Sequence, residues 1–327
     1  MKQHCFTIVG AGQIGSRHLQ ALSYLKNSTR IDLVDPSSES LKFAKNRYLE
    51  IIPSDNPNIE LRCHNNINAL PKILDLVIIA TNSSVREKVL KDIAQNYPVK
   101  NFILEKLLFQ RAEVFFHIDS FLRKYSIPTW VNCWMRTTDL CKTIKSALNL
   151  DNTIKIKVEG AEWRMGTSSI HFMDILSYFS GCSDFKFTDI RLSNRLIDSR
   201  HKGFKEFSGQ LLGQNSRGDT LNLICLGSKN NPPNIEIVNG DDKYKITGLN
   251  GKVGFESSND LSKKITKAKL PYQSELTHLW VDDILAKGSC DLPIYSNCIG
   301  LHLELIRVFT NHIEKITGKS IKSCPIT

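Results

Sequence analysis

The sequence predicts an α/β protein: a doubly wound parallel sheet over residues 1–129, then an α+β domain over residues 130–327 with an open, mainly antiparallel sheet. Three observations predict it. Short apolar runs alternate with amphipathic stretches through the first third, as βαβ units do. A strand-like run, Cys5 to Val9, ends on glycines that open a helical stretch. After about residue 130 the pattern changes to strands separated by polar turns, and the chain then returns to helix. A chain of 327 residues is also long enough for two domains, at roughly 150 residues each.

Taken in order, Cys5 to Val9 reads as a buried strand, and Ile14, Leu19, Leu22 and Leu25 fall near helical spacing. Ile31 to Val34 is a second strand, Leu41 to Tyr48 suits a helix, and Leu61 to Cys63 is a short strand. Leu76 to Ile79 is another buried strand, followed by a helix from Val85 to Gln95. Phe102 to Leu104 and Trp130-Val131 are strands around a helix from Val114 to Arg123. The second part begins with a helix from Thr138 to Leu148 and a strand from Ile154 to Val158. A helix from Ser169 to Phe179 stops at Gly181. Residues 185–260 alternate strands with turns such as Asn239-Gly240-Asp241-Asp242 and Asn250-Gly251. Helices over Tyr272 to Ala286 and Asn297 to Ile316 complete the chain.

Gly10-Ala11-Gly12-Gln13-Ile14-Gly15 is a GxGxxG loop, weak as an isolated pattern. Here it follows an apolar strand, opens a helix, and precedes an acidic residue, Asp35, at the end of the next strand. Gly10 permits the tight turn, Gly12 lets the backbone approach a pyrophosphate, and Gly15 lets helix and strand pack closely. The helix N-terminus offers unpaired N–H groups and a partial positive charge to phosphate. Asp35 can accept hydrogen bonds from ribose hydroxyls and would repel a 2′-phosphate, and no arginine follows it in Pro36-Ser37-Ser38-Glu39. The expected cofactor is therefore NAD rather than NADP, on a Rossmann fold. The candidate cofactor contacts are Gly10, Ala11, Gly12, Gln13, Ile14, Gly15 and Asp35.

Composition narrows the function classes. Hydrophobic residues at 41% and charged residues at 23% fit a folded globular chain. The most apolar run, Ile73 to Ala80, is short and carries Asp75, so no membrane span is expected. Met1-Lys2-Gln3-His4-Cys5 leads directly into a strand without a signal-peptide core, which suggests a cytoplasmic protein. Nine scattered cysteines without paired spacing argue for reduced thiols, neither a disulfide framework nor a zinc site. A net charge of +10 raises the question of nucleic acid. The basic residues form no dense run with interleaved aromatics, so a solvated basic surface that attracts an anionic cofactor is the better reading.

Beyond the loop, the sequence resembles the Gfo/Idh/MocA oxidoreductases over most of its length. Ser16-Arg17-His18 continues the glycine loop like that family's GxGxxGxxH opening, where His18 is expected to pack or cap near the loop. Asp75 to Thr81 resembles its fourth-strand motif, whose following loop lies along the nicotinamide half of the cofactor, which adds Thr81 and Asn82 as contacts. Glu105-Lys106 is similar to its Glu-Lys-Pro signature, with Leu107 in place of proline. Val131-Asn132 with Arg136 looks like the entry to the second domain, and His171 to Asp174 matches the HxxD helix. Leu292 to Tyr295, followed by His302, resembles the C-terminal segment. Val131-Asn132-Cys133 and Ser169 to Asp174 are closest to members associated with bacterial surface-sugar and sialic-acid-like biosynthesis. The resemblance implies a sugar, nucleotide-sugar or polyol substrate and a homo-oligomer, a dimer or tetramer, joined through the open sheet face.

Alcohol oxidation by NAD needs an orienting site and a base. His171 is the candidate base, because imidazole titrates at about pH 6.5. Lys106, at a strand end, is the candidate for binding the reacting oxygen. Asp174, three residues from His171 on the same helix face, could orient the imidazole or bind substrate. Glu105 joins the cofactor contacts, and Asn132, Arg136, Trp163 and Arg164 are candidate substrate contacts with His302 behind them. One departure stands out. Many family dehydrogenases carry an acid four residues before the histidine, and this chain has Thr167, so the proton relay differs or catalysis is altered. Redox-assisted elimination, as in NAD-dependent glycoside hydrolysis, and a non-catalytic NAD sensor are the alternatives.

Overall fold

The computed structural model describes residues 3–51, 58–226, 231–249, 253–265 and 268–327. The expected Asn250-Gly251 turn lies outside them. The chain forms two compact units: Met1–Phe109, Glu113–Trp134 and Pro271–Tyr295 make the first, and Gln110–Ala112, Met135–Leu270 and Ser296–Thr327 the second.

The first unit contains β1 (His4–Val9), α1 (Gln13–Leu22), β2 (Thr29–Val34), α2 (Ser38–Leu49), β3 (Ile59–His64), β4 (Leu76–Ile79), α3 (Arg86–Asn96), β5 (Phe102–Leu104), α4 (Ala112–Lys124) and β6 (Thr129–Val131). Its six strands are ordered β3-β2-β1-β4-β5-β6 and all pair in parallel. This is the expected doubly wound sheet. The order reverses at β1, where β2 and β4 diverge, and such switch points bind ligands at the carboxyl ends of the strands. The strands read as apolar runs because both faces are covered: Phe6, Ile8, Ile31, Leu33, Ile78 and Ile103 are fully buried. Leu276, Trp280, Val281 and Ile284 from far along the chain join this core.

The second unit contains α5 (Asp139–Ala147), β7 (Ile154–Ala161), α6 (Met165–Ser180), β8 (Phe185–Leu192), β9 (Ile197–Asp198), β10 (Lys205–Glu206), β11 (Gly209–Asn215), β12 (Thr220–Cys225), β13 (Asn231–Asn239), β14 (Asp242–Thr247), β15 (Gly254–Ser257) and α7 (Leu261–Lys264). α8 (Thr277–Lys287) returns to the first unit, and α9 (Tyr295–Thr317) runs into the second. Seven strands form a sheet in the order β15-β14-β13-β7-β12-β11-β8, antiparallel except between β7 and β12. Ile154, Ile156 and Val158 of β7 are buried while Lys155 and Glu159 are exposed, the alternation of a sheet covered on one face. α6 packs against β7 and β12.

Two helices differ from expectation. α6 begins four residues earlier than Ser169 and ends where Gly181 adopts φ +72°. The helix expected from Tyr272 starts as a 3-10 turn over Gln273–Glu275 and becomes α8 only at Thr277. Among the described residues, no helix is long and apolar enough to cross a membrane.

Candidate cofactor site and active site

The glycine loop is shaped by what each missing side chain would strike. Gly10 has φ +100°, and a Cβ there would lie 2.9 Å from the Ala80 carbonyl carbon. A Cβ on Gly15 would fall 1.7 Å from Gly10 O, so α1 sits against the turn at a distance only glycine allows. Gly12 is the opposite case: a Cβ there would meet nothing within 4 Å. The space in front of the helix is open. Gly12 is the N-cap of α1, no side chain caps it, and the first turn holds no acidic residue. The N–H groups and the positive end of the helix are therefore available to an anion.

Asp35 follows β2, and its carboxylate accepts from Ala11 N at 2.8 Å and Ser37 N at 2.9 Å. These bonds fix the acid beside the glycine turn and leave lone pairs for ribose hydroxyls. Arg47 of α2 donates to Gln13 Oε1 at 3.0 Å and Ser16 Oγ at 2.9 Å, with its guanidinium 4.4 Å from the Phe43 ring centroid. This places a cation beside the first turn of α1. Its spacing in the sequence gives no hint of that position.

At the other side of the switch point, Thr81 and Asn82 follow β4. Asn82 Oδ1 accepts from Ser84 N and Oγ and closes the turn. Thr81 Oγ1 is buried with no partner among the described residues. Arg86, fully buried at the start of α3, donates to Thr81 O, Leu107 O and Leu108 O. One guanidinium thus ties the loop after β4 to the segment after β5. Burial lowers its pKa to about 10, which leaves it charged at neutral pH.

Glu105 and Lys106 follow β5, and the peptide joining Lys106 to Leu107 is cis. Lys106 is half-buried, and Glu105 faces inward at 6% exposure. Its carboxylate is bonded to His18 Nε2 at 2.9 Å and to Asn132 Nδ2. His18 Nδ1 lies 2.8 Å from Thr277 Oγ1, and Asn132 Nδ2 donates to Gln273 Oε1 at 2.9 Å. Burial opposes the charge on Glu105, but the hydrogen bond and charge of His18, the Asn132 amide and the Lys106 ammonium outweigh it and hold the carboxyl below its ordinary value. Asn132 is 2% exposed, and its Oδ1 has no partner among the described residues. The open Gly12 and the unpartnered Thr81 Oγ1 and Asn132 Oδ1 lie at the carboxyl ends of β1, β4 and β6. They fit a dinucleotide with an anionic centre and hydrogen-bonding groups at one end.

The remaining candidates lie in the second unit. The turn between β7 and α6 holds Glu162 at φ 52° and Arg164 at φ 62°, a left-handed backbone that costs about 1–2 kcal/mol per non-glycine residue. Strain of this kind concentrates at functional segments. Trp163 is buried with its indole N–H donated to Ile224 O at 2.8 Å, whereas Arg164 is exposed. His171 is 9% exposed on α6. Asp174 receives both arms of Arg136, from Nε at 2.8 Å and Nη2 at 2.7 Å. Burial pushes the Asp174 carboxyl up to about 6 against the pull of that guanidinium. His302 is buried with Nδ1 2.9 Å from Cys298 O. Arg136→Met would leave a buried carboxylate without its partner, and urea denaturation is expected to show a loss of about 3 kcal/mol. A loss below about 0.5 kcal/mol, the range of an exposed pair, would show that the pair does not secure α6.

Residues 5–132 match the model of the Gfo/Idh/MocA oxidoreductase family, described as an NAD-binding Rossmann fold. Solved structures share the fold over nearly the whole chain. The UDP-N-acetylglucosamine 3-dehydrogenase GnnA from Acidithiobacillus ferrooxidans is 14% identical with a TM-score of 0.67, over 94% of this chain and 97% of that one. The WlbA dehydrogenase from Bordetella pertussis, in complex with NADH and UDP-GlcNAcA, is 15% identical with a TM-score of 0.69, over 94% and 95%. A super-repressor mutant of Gal80p from Saccharomyces cerevisiae is 15% identical with a TM-score of 0.64, over 98% and 100%. At such identities the likeness is one of fold. No curated protein sequence matches the chain.

Proposed function

We propose that the protein is an NAD-dependent dehydrogenase acting on a hydroxyl-bearing carbon of a sugar, nucleotide-sugar or polyol, in carbohydrate biosynthesis. The observation that carries this reading is the carboxyl end of the parallel sheet in the first unit, where the open Gly12 follows β1, Asp35 follows β2 and Lys106 follows β5. Bound there, NAD supplies the acceptor for a hydride. Gly12 and the α1 N-terminus hold the pyrophosphate, Asp35 selects a ribose without a 2′-phosphate, and Thr81 and Asn132 offer hydrogen bonds at the nicotinamide end.

The chemical roles fall to Lys106 and His171. The Lys106 ammonium binds the substrate hydroxyl and stabilises alkoxide character as the C–H bond breaks. The His171 imidazole takes the hydroxyl proton as the carbonyl forms, and returns it when the reaction runs backwards. Asp174, fixed by Arg136, holds the helix that presents His171. Asn132, Arg136, Trp163 and Arg164 contribute to the substrate side. Fold relatives solved as a UDP-N-acetylglucosamine dehydrogenase and with UDP-GlcNAcA support nucleotide-sugars as the first class to test.

The test is NADH formation at 340 nm across a panel of sugars, polyols and UDP-sugars, with product analysis. Carbonyl product in step with NADH is the expected result. Elimination product without net NADH would move the reaction to redox-assisted elimination, and tight NADH binding with no product across the panel would leave a sensor. We place a dimer or tetramer interface on the exposed face of the seven-stranded sheet; a monomer by light scattering would remove that part.

A further inference from the structure

The geometry points to Glu206 as the negative charge that supports His171, held in place through Thr167. Glu206 ends β10 and is 5% exposed. Both of its oxygens turn to α6: Oε2 accepts from Thr167 N at 3.2 Å, and Oε1 accepts from the Thr167 hydroxyl. A Cβ on Gly166 would lie 2.9 Å from Glu206 Oε2, so the glycine leaves room for the carboxylate to dock. Residues from a short ribbon and a helix start, nearly forty positions apart, are fitted to one another at this point.

Capping alone would not demand this arrangement. A neutral serine or asparagine satisfies helix N–H groups, whereas a buried carboxylate carries a desolvation cost of several kcal/mol. His171 stands one turn beyond Thr167 on the same helix face. It is 9% exposed, in surroundings where a nearby charge is only weakly screened. As the imidazole gains a proton it gains a positive charge, and the fixed carboxylate one turn away lowers the energy of that state. Thr167 fixes the carboxylate at that turn, giving both its N–H and its hydroxyl hydrogen to Glu206. Glu206 and Thr167 are positioning residues in this scheme.

Among the described residues, other charges on or against α6 include Asp174, bound by Arg136, Arg164 at the N-cap, Arg200, whose guanidinium feels both Arg164 and Glu206, and Lys205 of β10, whose ammonium is bonded to Asp198. Lys145 of α5 lies over Tyr178, 3.8 Å from the ring centroid. None of these is changed by the substitutions below.

The inference rests on His171 being the base, so its test begins without substrate. Protein labelled with 13C-histidine is titrated by NMR, and the His171 signal is identified by its loss in His171→Gln. Glu206→Gln is expected to lower the His171 pKa by about one unit, a tenfold loss of proton affinity. Thr167→Val should move it the same way by less, and Thr167→Asp in the Glu206→Gln background should restore it. If Glu206→Gln folds poorly, Thr167→Val gives the reading. An unmoved titration with a lowered Tm would make Glu206 a helix cap only and overturn the assignment. Turnover of the best panel substrate by His171→Ala separates the two levels. Lost turnover with an unmoved titration overturns the Glu206 role alone, and undiminished turnover overturns both.

Discussion

Gly12→Val is expected to abolish measurable NADH binding while leaving the thermal midpoint in place. The side chain would enter open space in the protein, so the fold has no reason to object. It would occupy the volume in front of the α1 N-terminus, where the pyrophosphate must approach the backbone. Removing that approach forfeits the N–H contacts and the helix charge together, a loss of at least 100-fold, or about 2.7 kcal/mol. Gly15→Ala provides the contrast. Its Cβ would overlap Gly10 O, so helix or turn must shift, and stability is expected to fall by about 4 kcal/mol along with binding. Calorimetry with NADH and a thermal melt on both variants check the pair. Undiminished NADH binding by Gly12→Val would remove the cofactor from this loop.

Lys106→Met and His171→Ala carry the second large effect. Each is expected to lower kcat by about 10²–10⁴-fold, the range of a lost acid–base or charge-stabilising group, with NADH affinity changed less than about threefold, or 0.7 kcal/mol. The division follows from where these residues stand. Lys106 follows β5, beyond the glycine loop, and His171 is on α6 in the second unit. If both variants keep wild-type turnover, the chemistry lies with other residues.

The local parts of this design are legible in the sequence. A strand, three glycines at fixed offsets and an acid at the next strand end are set by neighbours in the chain, and the structure gives Gly10 and Gly15 each a contact that only glycine allows while leaving the space at Gly12 open. Alternation of apolar runs was enough to predict the parallel sheet, because buried strands and amphipathic helices have different periods. Long-range pairings are not periodic, and they escaped. The carboxylate of Glu105 is turned to His18 and Asn132, and Gln273, 141 positions from Asn132, completes that network. Asp174 had no visible partner until the fold brought Arg136 to it. Arg86 carries no pattern that marks it as the tie between two loops. Thr167 read as the loss of an acid, and only the β9–β10 ribbon reveals a carboxylate on its hydroxyl.

The central claim is that residues 5–35 hold a dinucleotide by its pyrophosphate, with Asp35 at the adenosine ribose. Isothermal titration of the full chain with NADH and with NADPH tests it directly. The expected result is saturable NADH binding and NADPH binding at least about tenfold weaker, a difference of about 1.4 kcal/mol. Absence of heat with either nucleotide, supported by unchanged intrinsic fluorescence, would contradict it.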